Sequence, residues 1–246
     1  MARPVPPPVS AVNRVLKLPD AQGGLVRREW ASPEIAGELG IDPQSEVAAQ
    51  RLAAYHGLAP AVLEYNRASR FLLMSFVEGL QLERDWIKRP ERRAAMQVLI
   101  TRLRSIVTAS LPTLDLSARL CDLHERLVRR SPDCAEVYRE ELYVCLYGLS
   151  KVVDGAEVLV HGDLIPENVL VRADGSLCLL DWEYAHCGHG DEDLAGLALD
   201  HTELRAWSLA PEDFDLRVRA RRLLNELWHA LAATWVASGD GPGQTI

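Results

Sequence analysis

The sequence predicts an α+β fold in two lobes, a small β-rich N-terminal lobe and a larger, mostly helical C-terminal lobe. Three observations predict it. Over residues 12–78, short apolar runs alternate with turn residues around a single helical stretch. From Leu82 to about Val152 the apolar residues recur with helical spacing. Three strand-like runs, EVLV, NVLV and LCLLDW, then precede a final helical third. The lobes divide as 1–78 and 79–246, with the join near SFVEGL. A cleft at such a join excludes water, and ligands commonly bind there.

The elements follow in order. Residues 1–10, MARPVPPPVS, form a proline-rich arm that lacks the continuous apolar core of a signal peptide. VNRVLKL and GLVRREW read as two strands divided by the turn-like PDAQGG. Asp42 then suits an N-cap, Pro43 the first helical position and Gly57 the residue past the helix end, which puts Glu46 in the first turns. AVLEYN and RFLLMSFVEG are further strands. Helical breaks fall at Pro112 and at Ser131-Pro132, where Ser131 suits an N-cap. Pro211 is expected to open a long amphipathic helix. The apolar segment within it, Leu223 to Val236, is interrupted by Asn225, Glu226 and His229, so it reads as a buried helix and not a membrane span.

The chain has 246 residues and a net charge of −8, which argues against a nucleic-acid partner, because such binding needs clustered Lys and Arg. Neither a nucleic acid nor a membrane is an expected partner. The five cysteines include no C-x-x-C pair and read as reduced thiols of a cytoplasmic protein.

The most informative stretch is LVHGDLIPENVLV, residues 159–171. Two strand-like runs flank a polar loop that carries Asp163 and Asn168. Asp181 follows thirteen positions after Asn168, at the end of LCLLDW. A hairpin of NVLV and LCLL, turned at ADGS, brings Asp181 back beside that loop. Three oxygen-bearing side chains then converge. Mg²⁺ prefers hard oxygen ligands and shares its shell between one or two carboxylates and phosphate oxygens. Asp181 and Asn168 suit the metal, and Asp163 is left to accept a proton from an attacking hydroxyl. Phosphoryl transfer needs mainly positioning and charge neutralisation, and this trio supplies both.

HGDLIPEN followed by LLDWEYA resembles the catalytic pattern of the protein-kinase-like fold, H-x-D-x-x-x-x-N and then a metal-binding Asp. It is similar to the small-molecule branch of that fold, the aminoglycoside phosphotransferase and choline/ethanolamine/thiamine kinase group. The resemblance runs from about Val12 to Val236. It implies an ATP-dependent, Mg²⁺-dependent kinase of a small-molecule hydroxyl, with Asp163 as the base and Asn168 and Asp181 on the metal. Gly162 replaces the usual arginine, DWE stands for DFG and no A-P-E follows, so neither an activation-loop switch nor a protein substrate is implied. GLVRRE resembles the strand that delivers a basic residue to the phosphates. Arg27 is the expected residue, Arg28 its alternative on the opposite strand face. Glu46 matches the helix glutamate that orients this base. MSFVEG resembles the hinge, where backbone groups of Ser75 to Val77 meet adenine. His161 and Asp193 are implied as structural supports of the loop. SAVNRVLKL resembles the phosphate-covering turn without its glycines.

Trp182, Glu183 and Tyr184 read either as core and rim packing or as an acceptor site, since an aromatic face with a carboxylate suits a quaternary or thiazolium cation. The expected acceptor is therefore a cationic alcohol of the thiamine, choline or ethanolamine type, with an aminoglycoside or sugar as the alternative. The run AHCGHGDED collects His186, Cys187, His189 and Asp191, but its spacing matches no zinc motif. Two other classes remain beside the kinase: a nucleotide-binding pseudokinase scaffold, suggested by the short N-terminal lobe, and a metal hydrolase built on His161, Asp163 and the 186–191 cluster.

Overall fold

The computed structural model describes residues 13–18, 24–108, 110–152 and 157–237. The proline-rich arm, the start of the SAVNRVLKL turn and nearly all of PDAQGG lie outside these residues. The N-terminal region is β1 (Arg14–Leu18), β2 (Leu25–Glu29), α1 (Pro33–Leu39), α2 (Pro43–Tyr55), β3 (Val62–Asn66) and β4 (Phe71–Ser75). Its strands form one antiparallel sheet in the order β1-β2-β4-β3.

Helix α2 begins and ends where its residues dictate. The Asp42 carboxylate accepts from the backbone N–H groups of Gln44 and Ser45, at 3.1 and 3.2 Å. Gly57 takes φ +69°, and the chain turns off the helix with Leu58 N–H donating to the Ala53 carbonyl at 2.8 Å. One face of α2 packs Val47 with Leu72 and Met74 under the sheet. Another sends Ala49 and Ala53 into the main core beside Met96 and Leu99. Helix α1 was not expected from the sequence. It is seven residues long, and its last carbonyls are capped from the C-terminal region: Arg119 donates to Leu39, and Arg126 to Gly37 and Glu38.

The rest comprises β5 (Leu80–Gln81), α3 (Pro90–Arg104), α4 (Leu116–Arg130), α5 (Pro132–Glu136), α6 (Arg139–Leu149), β6 (Glu157–Val160), β7 (Val169–Val171), β8 (Leu177–Leu179), β9 (His186–His189), α7 (Glu192–Leu197) and α8 (Phe214–Ala237). The sheets β5-β7-β8 and β6-β9 sit among the helices. Two expectations need correction. Ser131 makes no side-chain cap bond. The last helix starts at Phe214, because Pro211 lies in a preceding turn. Strand β9 was not expected from the sequence; it forms by pairing antiparallel with β6, a tertiary partnership that local composition does not announce. Among the described residues no helix is long and apolar enough to cross a membrane.

Candidate active site

The β7–β8 hairpin forms as expected, with Val169 opposite Leu179 and Val171 opposite Leu177. One step beyond that register, the Leu180 N–H donates to the Asn168 carbonyl at 2.9 Å. This bond draws Asp181 beside the loop that carries Asp163. The Asn168 amide N–H donates to Asp163 Oδ2 at 2.9 Å and to the Asp163 carbonyl at 3.0 Å. Asp163, Asn168 and Asp181 are thus brought together. Asp181 holds φ +63°, a left-handed conformation that non-glycine residues rarely adopt and that concentrates at functional sites.

The loop is held by buried polar bonds. Asp193, near the start of α7, accepts from the backbone N–H groups of His161 and Gly162 at 2.8 and 2.9 Å. His161 Nε2 donates to the Leu180 carbonyl at 2.8 Å, which leaves its Nδ1 to accept from the Asp163 N–H at 3.3 Å. Gly162 is required where it stands: at φ +81°, a Cβ would lie 2.2 Å from the Tyr184 carbonyl oxygen. Burial lifts Asp163 above its ordinary 3.8, helped by the Asp181 charge and opposed by Arg221, His161 and the Asn168 bond.

The basic residue on β2 that meets this site is Arg28. The expected pairing of Arg27 with Glu46 does not form. Successive strand residues face opposite ways, and Arg28 is the one turned under the sheet. Its Nε lies 2.8 Å from Glu46 Oε1, an ion pair and not a well-aligned hydrogen bond. Its Nη2 donates to Asp181 Oδ1 and Glu183 Oε2, both at 2.6 Å. The Trp30 indole donates to the other Glu46 oxygen at 2.5 Å. Burial works against the Arg28 charge, but Glu46, Asp181 and Glu183 together raise its pKa. Arg27 instead pairs with Glu29 at 2.9 Å, lies over the Phe71 ring and stays 35% exposed.

The expected acceptor face is not assembled. Trp182 is fully buried in the main core, its indole N–H donating to the Leu179 carbonyl, with its ring against His161. Tyr184 packs edge-on to Trp228, and its hydroxyl lies buried without a well-aligned hydrogen bond. Glu183 is tied to Arg28 and to the Asn13 amide. Burial, with the neighbouring Asp181 charge, pushes Glu183 up to about 8 despite Arg28. At the hinge, the Ser75 N–H is taken by the Ala61 carbonyl, whereas Val77 makes no backbone bond to the described residues. The 186–191 run is structural: His186 pairs with Glu192, Cys187 donates to the Thr108 carbonyl, and Asp191 accepts from Ser208, Leu209 and Ala210.

The helix α8 was expected from the sequence, but its part in the site was missed. It brings Arg221 Nη2 to 3.6 Å from Asp163 Oδ1 and sets His229 within reach of the same charge. The available signal was a run of arginines, RVRARR, at 217–222 inside an amphipathic helix.

The donor set fits Mg²⁺. Asp181 is part-exposed, with one carboxylate oxygen free of bonds to the described residues. The Asn168 N–H group faces Asp163, which leaves its amide oxygen as an acceptor.

A sequence profile described as the phosphotransferase enzyme family matches residues 14–233. No curated protein sequence matches. Among solved structures, a choline/ethanolamine kinase family protein from Mesorhizobium loti is similar, with TM-score 0.71, 20% identity and coverage of 94% of this chain and 79% of that one. Choline kinase LicA from Streptococcus pneumoniae gives TM-score 0.72, 16% identity and coverage of 93% and 83%. Macrolide 2′-phosphotransferase MphH from Brachybacterium faecium gives TM-score 0.53, 15% identity and coverage of 94% and 85%. At these identities the likeness establishes the protein-kinase-like fold.

Proposed function

The chain belongs to the phosphotransferase enzyme family and is a small-molecule phosphotransferase; from that premise we propose that it transfers the γ-phosphoryl group of ATP to a hydroxyl of a small molecule. The observation that carries this is the meeting of Asp163, Asn168 and Asp181 at one end of the β7–β8 hairpin, facing Arg28.

Asp163 accepts or orients the acceptor's hydroxyl proton. The hydroxyl oxygen bonds to the γ-phosphorus as the bond to the bridging oxygen of ADP breaks. Asn168 and Asp181 hold Mg²⁺, which neutralises phosphate charge when bound. Arg28 takes the phosphate-contact role expected of Arg27, because it lies beside Asp181 and Glu46 orients it. Val77, whose backbone bonds to none of the described residues, meets the adenine edge, with Ser75 shaping the turn before it. His161 and Asp193 keep the loop in register. With Trp182 in the core, the cationic-alcohol acceptor expected from the sequence loses its aromatic face and keeps only the acidic balance of the chain as its motive.

Calorimetric titration with ATP, with and without Mg²⁺, coupled to a screen of alcohols for ADP release, tests this reading. Mg²⁺-dependent binding, with ADP release that needs an acceptor, is the expected result. Nucleotide binding without turnover on any alcohol would leave a scaffold instead.

A further inference from the structure

The acceptor side of Asp163 is walled by α8, and its chemistry is unlike the acidic surface of the chain. Within a protein of net charge −8, RVRARR concentrates four arginines in six residues. Arg219 points outward to Glu141. Arg221 points inward: its side chain is only 13% exposed, and its Nη2 lies 3.6 Å from Asp163 Oδ1. That separation is longer than a hydrogen bond. The Arg221 Nε is buried and makes no hydrogen bond to the described residues. Arg217, one turn earlier, is buried and faces the Glu192 charge instead. Buried donors are rarely left unsatisfied, so this face calls for an acceptor. His229 lies two turns beyond Arg221 and feels the Asp163 charge, and helical spacing places Asn225 between them. The wall facing the catalytic carboxylate is therefore a stripe of donors.

We propose that Arg221, flanked by Asn225 and His229, binds an anionic group of the acceptor, so that the substrate is an alcohol carrying a carboxylate or phosphate close to its reactive hydroxyl. The inference rests on the transfer reading above. Asp163 keeps Oδ2 for Asn168 and offers Oδ1 to the hydroxyl. An anion on a neighbouring carbon of the acceptor then meets the guanidinium, whose planar donors match carboxylate and phosphate oxygens. A quaternary or primary ammonium in the same place would stand beside Arg221 and be repelled.

The test is steady-state kinetics of the full chain with ATP and Mg²⁺ on matched small alcohols: glycerate (carboxylate), glycerol 3-phosphate (phosphate), glycerol (neutral), and ethanolamine and choline (cations). The proposal expects kcat/KM for an anionic alcohol at least about tenfold above glycerol, and the carboxylate and phosphate arms identify which anion. Arg221→Gln should lower that value about 10- to 100-fold, mainly through KM, and remove the preference over glycerol; Arg221→Lys should restore part of it. Unchanged Mg²⁺–ATP binding confirms that the variants are folded. Better turnover of choline, ethanolamine or glycerol than of either anion overturns the inference and leaves phosphoryl transfer standing. So does an Arg221→Gln variant that loses kcat equally on all acceptors with the anion preference intact. No turnover on any alcohol, with Mg²⁺–ATP still bound, overturns the transfer reading itself and the acceptor assignment with it.

Discussion

Asp163 and Asp181 precede and follow one hairpin and meet at its open end, yet they are fixed by different parts of the molecule. Asp163 is held from within its own segment, by Asn168 five residues on, by His161, and by the brace that Asp193 gives the loop backbone. Asp181 is held by Arg28, which comes from β2 and is shared with Glu46 and Glu183. Asp163, the proposed proton acceptor, is therefore held independently of the N-terminal sheet, whereas Asp181, the proposed metal ligand, is not. One active site thus combines a locally specified part and a part that exists only when both regions are assembled.

The sharpest way to separate the two is Asp163→Asn. It keeps the shape of the loop and removes the proton acceptor, so kcat should fall by about 10²- to 10⁴-fold. Melting temperature and nucleotide affinity should stay near wild type; a large loss of either would show that the loop is not self-contained. Arg28→Ala strikes the other part. It strands three carboxylates around a buried hole and should remove about 3–5 kcal/mol of stability, read as a lower urea midpoint.

Asp193→Asn keeps one acceptor oxygen but faces an amide toward the second buried N–H. A loss of about 1–3 kcal/mol is expected, with turnover falling through loop geometry while the Arg28 cluster is untouched. The segment that carries Asp193 is itself sensitive to pH. Burial opposes the charge on His186, but its bond to Glu192 holds it above 6.5; burial likewise raises Glu192, and His186 more than offsets this, keeping it below 4.5. The His186 contribution is complete below pH 6.5 and fades as pH rises through its folded value. The Glu192 contribution is complete above pH 4.5 and fades on acidification. His186→Gln should flatten the fall in stability above pH 6.5, seen in melting temperatures across a pH series. The smallest effect belongs to Arg27→Ala, at about 1 kcal/mol or less, since its partner Glu29 is on the surface. A loss as large as that of Arg28→Ala would reverse the assignment of the two arginines.

The same division explains what could be read from the sequence. Asp42, Pro43 and Gly57 specify α2 by local rules, and the residues of the hairpin specify its register, so α2, β7 and β8 were legible along with Asp163, Asn168 and Asp181. Helix α1 was not, because its seven residues are completed by Arg119 and Arg126 from α4. Strand β9 exists through β6. Strand alternation told that Arg27 and Arg28 face opposite ways but not which side α2 would cover. Trp182 was legible as aromatic, and only packing revealed that His161 and the core claim it. The inward turn of Arg221 likewise depends on where α8 lies.

The caps at the end of α1 also bear on motion. Arg119 and Arg126 stitch the end of α1 to α4 by three hydrogen bonds, remote in sequence from the proposed hinge at Val77. A region tied to α4 in this way cannot swing away from it without breaking those bonds. If nucleotide enters as proposed, its exchange then depends on small local breathing, and a side chain at Gly40, where a Cβ would lie 2.2 Å from Arg119 Nη1, would crowd this seam and alter exchange rates from a distance.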